Sequence, residues 1–324
     1  MPVKLITPDA SDSPGGVSQY YSRMVRACAA LGCHIEWLSP QQFNARGGNP
    51  YRDLLILTNQ DVRLIPQPYA VIGVAHGSAM ERGIRNGNDP MWVNMGKDQA
   101  EAGRRPRTFW VSTCPISALD CKRHMGVTVD RCIVVGCDTT MLYPSERQTR
   151  RDARVPVIVH NCSEPNKGND VFPAVEAELR GEFTFRRLAC APDKLGDFLR
   201  AADMFLQLSR EEGGPNVICE AMTAGLVVVG SDVGILAALT RDVALPSRDP
   251  AAVGWINRDA GVATFDWRLL AKPHCVVDFI RGAWAARAIL DPRPFALQHF
   301  SLPVYGQKWC DAIQAAAAKL GVTL

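Results

Sequence analysis

Ser209-Arg-Glu-Glu-Gly-Gly-Pro-Asn-Val-Ile-Cys-Glu-Ala-Met-Thr-Ala-Gly225 is the stretch on which the reading of this 324-residue chain turns. The apolar run 204–208 before it reads as a strand, and 226–230 after it as another. Between them, Gly213 and Gly214 form a turn with exposed backbone amides, and Pro215 opens a helix over 216–224 at its favoured first position. A helix N-terminus with unpaired N–H groups and a partial positive charge is an anion site suited to a diphosphate, with Asn216 in its first turn. Glu212 stands at the mouth of the turn. Glu220 lies within the helix, about 7–8 Å further along its axis. Two carboxylates so spaced suit a polyol ligand, one meeting a sugar beyond the phosphates and the other a ribose behind them. Taken alone, the spacing also fits a surface glutamate and a helix-internal one in any α/β protein.

Working outward, short apolar runs alternate with helical patterns, the sequence form of a doubly wound parallel sheet. The first half predicts strands over 4–7, 34–38, 54–58, 70–75, 108–112 and 132–135. Its helices include one carrying Tyr20, Tyr21, Met24, Val25 and Cys28 at helical spacing, and one over 116–125 ended by a left-handed Gly126. The polar stretch 137–153, with Pro144 and three arginines, reads as an interdomain linker. The second half predicts strands over 155–160, 183–188, 204–208 and 226–230, and helices over 170–179, 194–202 and 216–224. Beyond Asp232 the pattern weakens, although 275–289 and 304–319 read as helices. The expected organisation is two Rossmann-like α/β domains, 1–150 and 151–300, facing across a cleft, followed by a terminal helix in 301–324. Ligands of such sheets bind at the carboxyl ends of the strands.

Composition is that of a folded protein, 47% hydrophobic and 21% charged. The net charge of +3 neither demands nor excludes a polyanionic partner. It is uneven: residues 1–150 hold 17 Lys/Arg against 13 Asp/Glu, and residues 151–324 hold 19 against 20. Eleven cysteines without a CxxC pair suit scattered thiols in a reducing cytoplasm better than a disulfide framework. No window approaches 18 uninterrupted apolar residues and no leader pattern opens the chain, so neither export nor membrane insertion is expected.

The glutamate segment resembles the donor-binding signature of the retaining glycosyltransferase family 4, whose fold is GT-B. Other stretches are similar to the same family in the same order. They are Ser13-Pro-Gly-Gly-Val-Ser-Gln-Tyr20 after the first strand, Val74-Ala-His-Gly77, Val134-Val-Gly-Cys-Asp-Thr-Thr-Met-Leu-Tyr-Pro144, Asn166-Lys-Gly-Asn-Asp170 and Ala202-Asp-Met-Phe-Leu-Gln-Leu-Ser209. The resemblance spans roughly residues 3–240 and implies an acceptor-binding first domain, a donor-binding second domain and a C-terminal helix crossing back to the first. It implies that Glu212 binds donor sugar hydroxyls and Glu220 ribose hydroxyls. Lys167 would neutralise the diphosphate, a task suited to a point-charge ammonium. Gly16, Gly213 and Gly214 would allow close approach of backbone to donor. Cys190 would lie near the nucleotide base, and His76 would contact the sugar or its phosphate from the acceptor side. One departure stands out, because the family's arginine five residues before the lysine is here Cys162. Either Arg210 or another basic residue replaces that phosphate contact, or the donor is bound less tightly.

The implied reaction is front-face transfer of a hexose-type sugar from a UDP- or GDP-sugar to a hydroxyl, with retention. The departing diphosphate would be stabilised by amides and Lys167, without a metal ion or cofactor, after closure about the linker. Three acceptor classes remain open: a glycan or lipid-linked glycan, a small molecule, and DNA carrying a 5-hydroxymethylated pyrimidine. The last would use the basic set Arg82, Arg85, Arg104, Arg105 and Arg107 for phosphate contacts and would extrude the base. The same arginines also fit an ordinary solvated surface. A non-catalytic sugar-nucleotide sensor is the alternative of another class, and would release no nucleoside diphosphate.

Overall fold

Runs such as Leu54-Leu-Ile-Leu-Thr58 and Ala70–Ala75 are apolar without alternation because their strands are covered on both faces. The computed structural model describes residues 3–8, 15–144, 155–239 and 241–323. It divides into one unit of Met1–Gly136 with Leu302–Leu324 and a second of Cys137–Ser301.

The first unit is built on β1 (Val3–Ile6), β2 (Ile35–Leu38), β3 (Leu54–Thr58), β4 (Ala70–Ala75), β5 (Thr108–Ser112) and β6 (Arg131–Cys132). Their order is β2-β1-β3-β4-β5-β6, and every pairing is parallel. The order reverses between β1 and β3, which makes the carboxyl ends of those strands the unit's crevice. The helix expected over 116–125 is an α-helix at Pro115–Asp120 that continues as a π-helical turn at Cys121–Met125. Gly126 then ends it in the left-handed region at φ 69°.

The C-terminal helix Leu302–Leu320 belongs to this unit and packs on the helix Gly16–Ala29. Two glycines permit the approach. A Cβ on Gly306 would stand 2.8 Å from the Ala27 carbonyl oxygen, and one on Gly136 would stand 2.6 Å from the Tyr305 ring. Tyr305 Oη donates to the Tyr20 carbonyl at 3.0 Å, and Tyr20 Oη donates to the Ile133 carbonyl at 2.9 Å. Tyr20, Tyr305 and Trp309 are fully buried together, so large apolar area is removed from water while both hydroxyls stay bonded.

The second unit contains β7 (Val157–His160), β8 (Thr184–Arg187), β9 (Met204–Gln207), β10 (Val227–Ser231), β11 (Val243–Leu245), β12 (Gly254–Asn257) and β13 (Val262–Phe265). The order is β11-β12-β13-β10-β9-β7-β8, with β12 antiparallel to both of its neighbours, β11 and β13, and the other pairings parallel. Its reversal lies between β7 and β9. The helices Phe172–Glu178 and Pro273–Ala285 cover one face, where Phe265 and Phe279 stack at 5.6 Å. The three strands beyond Asp232 were not legible as a pattern, being only three or four residues each. Residues 145–153 of the expected linker lie outside the described residues, as do residues 13 and 14 of the first glycine loop. Among the described residues no helix is long and apolar enough to cross a membrane.

The close approach at Gly306 predicts that Gly306→Val forces the C-terminal helix off its partner, costing about 2 kcal/mol through overpacking. Urea unfolding should show a lower midpoint than wild type. An unchanged midpoint would contradict the helix contact described above.

Candidate functional site

The loops that leave β7 and β9 meet at the second unit's reversal point because parallel neighbours end side by side. The β7 loop turns at Pro165-Asn-Lys167 and closes on Gly168, whose φ of 77° suits only glycine. A Cβ there would also lie 2.5 Å from the Leu208 Cβ and carbonyl oxygen, so the glycine lets the lysine loop sit against the end of β9. Asn166 ties the two loops, accepting from the Arg210 N–H at 2.9 Å and donating through Nδ2 to the Glu211 carbonyl at 3.2 Å.

That junction brings Lys167 onto Glu212. Lys167 Nζ donates to Glu212 Oε1, and Ser209 Oγ donates to the same oxygen at 2.8 Å. The Glu212 side chain is only 9% exposed and that of Lys167 22%, so the ion pair is partly desolvated. The turn behind Glu212 is braced from β10: a Cβ on Gly234, φ 57°, would stand 2.9 Å from Pro215 Cδ and 3.0 Å from Glu212 Cβ. Gly213 and Gly214 lie half-buried in this turn. Pro215 departs from expectation. It occupies the cap position with φ −70° and an extended ψ of 112°, and the helix Asn216–Thr223 begins one residue later.

Glu220 is buried at 5% exposure in that helix. Cys190, in the loop after β8, feels it: burial first, then the carboxylates of Glu220 and Asp193, push its thiol pKa up. Lys167, Glu212, Glu220 and Cys190 thus surround one end of one sheet. The sequence reading missed three further amides there. Gln207 at the end of β9 is fully buried with neither amide atom bonded, and Asn161 Oδ1 and Asn166 Oδ1 are buried without a partner among the described residues. Each such atom costs about 1–3 kcal/mol until a ligand or water meets it.

The position of the missing arginine is buried. Burial pushes the Cys162 thiol up to about 12, so it stays neutral. Arg210 is already engaged, bidentate to Asp170 at 2.9 and 2.7 Å and also donating to the Pro165 carbonyl. It fixes the lysine loop instead of offering a spare cation.

In the first unit His76 follows β4. Its Nε2 lies 3.2 Å from Tyr21 Oη, and the Tyr20 and Tyr21 rings meet it edge-on at 4.9 and 5.3 Å. Desolvation lowers its pKa to about 4, so the ring is neutral at physiological pH. Gly16 is the first residue of the helix Gly16–Ala29, after the β1 loop.

The five arginines expected to form one acceptor surface are not brought together. Arg82 and Arg85 lie on the helix Ala79–Arg85, which leaves the carboxyl end of β4. Arg107 bonds beside Val71 at the opposite, amino end of the sheet, and Arg104 and Arg105 precede it. The helix Pro90–Gly103, about 21 Å long at 1.5 Å per residue, carries the chain from one set to the other. Several are also spoken for. Arg82 stacks 4.0 Å from the Trp92 ring, and Arg85 pairs with Glu81 at 2.8 Å. Arg105 donates to the carbonyls of Ile65, Pro66 and Tyr69, and Arg107 to that of Leu320.

Two groups among the described residues have metal-ligating types within reach of each other, Glu81-Asp120-His124 and Asp249-His274-Cys275. The first is neutralised by Arg85 and Arg123, and Asp249 by Lys272. Neither includes Lys167, Glu212 or Glu220.

His160, at the end of β7, stacks on Phe172 with ring centroids 3.8 Å apart, and burial, then nearby Arg187, lowers its pKa to about 4. In the unfolded chain both His76 and His160 titrate near 6.5. The unfolded state therefore binds more protons between pH 6.5 and 4, and stability falls as pH drops through that window. The urea midpoint should be lower at pH 5 than at pH 7, and His160→Phe should shrink the difference. A midpoint that rises on acidification would refute the assignment of these histidines as neutral.

Residues 153–254 match the family model of the glycosyl transferases group 1. No curated protein sequence matches the chain. Among solved structures, sucrose-phosphate synthase from Thermosynechococcus elongatus aligns with a TM-score of 0.63 at 16% identity, covering 97% of this chain and 99% of that one. Anabaena HepE in complex with UDP-glucose aligns at 0.64 and 13% identity, covering 97% and 100%. The lipopolysaccharide outer core galactosyltransferase WaaB aligns at 0.65 and 11% identity, covering 97% and 99%. At these identities the likeness is one of fold. The group 1 glycosyl transferase match lies within the second unit, and the likeness to these structures shows that the chain has the GT-B fold.

Proposed function

We propose that the protein transfers a hexose from a UDP- or GDP-sugar to a hydroxyl of a glycan, lipid-linked glycan or small molecule, with retention and without a metal ion. The observation that carries this reading is the convergence of Lys167 and Ser209 on one oxygen of Glu212 at the reversal point between β7 and β9. A neutral, partly dry pair of opposite charges can be taken apart by a ligand that offers both an anion and hydroxyl groups. The diphosphate takes the ammonium, and the sugar hydroxyls donate to the carboxylate. Amides of the Gly213–Gly214 turn and of the helix Asn216–Thr223 face the leaving charge. Glu220 holds the ribose, with Cys190 beside the base. In the first unit, neutral His76 serves as a hydrogen-bonding group toward the reacting sugar. HepE, of the same fold, is described in complex with UDP-glucose, which supports a UDP-sugar donor here. The placement of Arg82 and Arg85 after β4 and of Arg107 at the other end of the sheet supports the glycan and small-molecule classes over a DNA acceptor.

A screen of UDP- and GDP-sugars for nucleoside diphosphate release, followed by an acceptor panel that includes hydroxymethylated DNA, tests the reading. Glu212→Ala should abolish transfer and leave UDP binding within a few-fold of wild type. Glu220→Ala should weaken UDP binding by about 1–3 kcal/mol, measured by calorimetry. Equal UDP affinities in all three proteins would remove the assignment of Glu220 to the ribose.

Turnover should also survive excess EDTA, since on this reading amides and Lys167 stabilise the leaving charge in place of a cation. Activity lost on chelation and restored by Mg²⁺ or Mn²⁺ would reject metal independence.

A further inference from the structure

The segment that carries His76 is held by side chains from other elements. Gly77 has φ 138°, a conformation that side-chain-bearing residues rarely adopt, and the chain turns there between β4 and the helix Ala79–Arg85. Its backbone is closed by two side-chain amides from elsewhere in the unit. The His76 N–H donates to Asn59 Oδ1 at 2.8 Å, and Asn59 Nδ2 donates to the Gly77 carbonyl at 2.8 Å. From the other side, the Ala79 N–H donates to Gln99 Oε1 at 3.0 Å, and Gln99 Nε2 reaches the Gly77 carbonyl at 3.4 Å. Both amides are 4% exposed.

Asn59 immediately follows β3, the strand next to β4, at the carboxyl edge of the sheet. Its two-point clasp works across 17 and 18 residues of chain. The ring is held separately, by Tyr21 Oη on Nε2 and by Tyr20 edge-on. Backbone and ring are thus fixed from different elements, which sets the direction of Nδ1, a nitrogen with no bond to another described residue. Such double restraint exceeds what a loop at a sheet edge needs in order to be ordered, because either amide alone would satisfy the Gly77 carbonyl.

We propose that Asn59 is a positioning residue for sugar transfer, acting through His76 by clasping the His76–Gly77 peptide so that the imidazole keeps one orientation toward the ligand. Gln99 supports the same carbonyl from the helix Pro90–Gly103. The role assigned to Asn59 rests on the proposed transferase reading of His76. Desolvation of the ring agrees with it, since a clasped imidazole stays neutral and acts as a hydrogen-bonding group.

The test uses the full chain, UDP-glucose as probe, and the variants Asn59→Ala, Asn59→Asp, His76→Ala and Asn59→Ala/His76→Ala. Asn59→Asp keeps the acceptor for the His76 N–H and loses the donor to Gly77, so it covers the case in which the alanine variant does not fold. UDP release from UDP-glucose should fall about 10- to 100-fold in kcat for Asn59→Ala, with UDP affinity unchanged, the loss expected of a misplaced group. Asn59→Ala should cost nothing further once His76 is alanine, because the two act as one unit. In parallel, the His76 ring followed by NMR should titrate closer to pH 6.5 in the Asn59 variants than in wild type. An equal kcat loss in the His76→Ala background, or an unmoved His76 titration in a folded Asn59 variant, overturns the proposal. If wild type releases no UDP from UDP-glucose, the transferase reading loses its support with that donor, and the NMR titration alone still decides whether Asn59 sets His76.

Discussion

A carboxylate held at 9% exposure is the constraint from which the geometry at the ends of β7 and β9 follows. Removing Glu212 from water is costly unless its charge is met, and breaking a desolvated pair exposes the full penalty. The chain meets it with an ammonium 45 residues away and a hydroxyl three residues away, both on Oε1. Those partners can converge only because β7 and β9 are parallel neighbours whose carboxyl ends release their loops side by side. Gly168 and Gly234 then remove the side chains that would hold the loops apart. The sheet order, two glycines and one ion pair therefore form a single argument. On the proposed reading, Lys167 and Glu212 satisfy one another, and a ligand bearing an anion together with hydroxyls can satisfy both in turn.

The first unit reaches a comparable end by different means. Here the organising contact is apolar, the seating of the C-terminal helix Leu302–Leu320 on the helix Gly16–Ala29. Tyr305 and Trp309 press on Tyr20, and Tyr20 in turn packs edge-on against His76. The last stretch of sequence thus helps wall in a ring set 226 residues earlier than its own first residue, which fixes the ring's dielectric and so its neutrality. Packing, and not a neighbouring charge, makes this histidine a hydrogen-bonding group.

What could be read in the sequence was whatever depends on neighbours in the chain. Strands at 54–58, 70–75 and 108–112 announce themselves by apolar composition, since burial on both faces leaves no alternation to decode. The strand–turn–helix around Glu212 is likewise local chemistry, although Pro215 caps the helix instead of entering it. Asn59 and Gln99 carried no signal, because an isolated amide acquires meaning only from the loop it meets across the sheet. Charge misled in the opposite direction. Counting arginines over 82–107 ignores that the 14-residue helix between them is long enough to put the two sets at opposite ends of the strands. Beyond Asp232, strands of three and four residues are too short to establish a period, and only their pairing with β10 and with each other defines them.

On the proposed reading, Cys162 and Arg210 bear on how an anion is held. A guanidinium at position 162 would need room and solvent or a counter-charge, whereas the residue there is buried in the same apolar cluster as Val171, Val175 and Leu208. The thiol suits that pocket and stays protonated. Arg210 compensates structurally and not electrostatically. Its fork spans both oxygens of Asp170, holding that carboxyl below its usual range, and it also reaches the Pro165 carbonyl, so its bonds stiffen the turn that presents Lys167. A fork-to-carboxylate pair is directional, and an ammonium in its place would not fix the turn equally well. On the proposed reading, Arg210 aims Lys167 instead of contacting an anion itself, and recognition of a diphosphate falls to Lys167 and the backbone amides of the helix start.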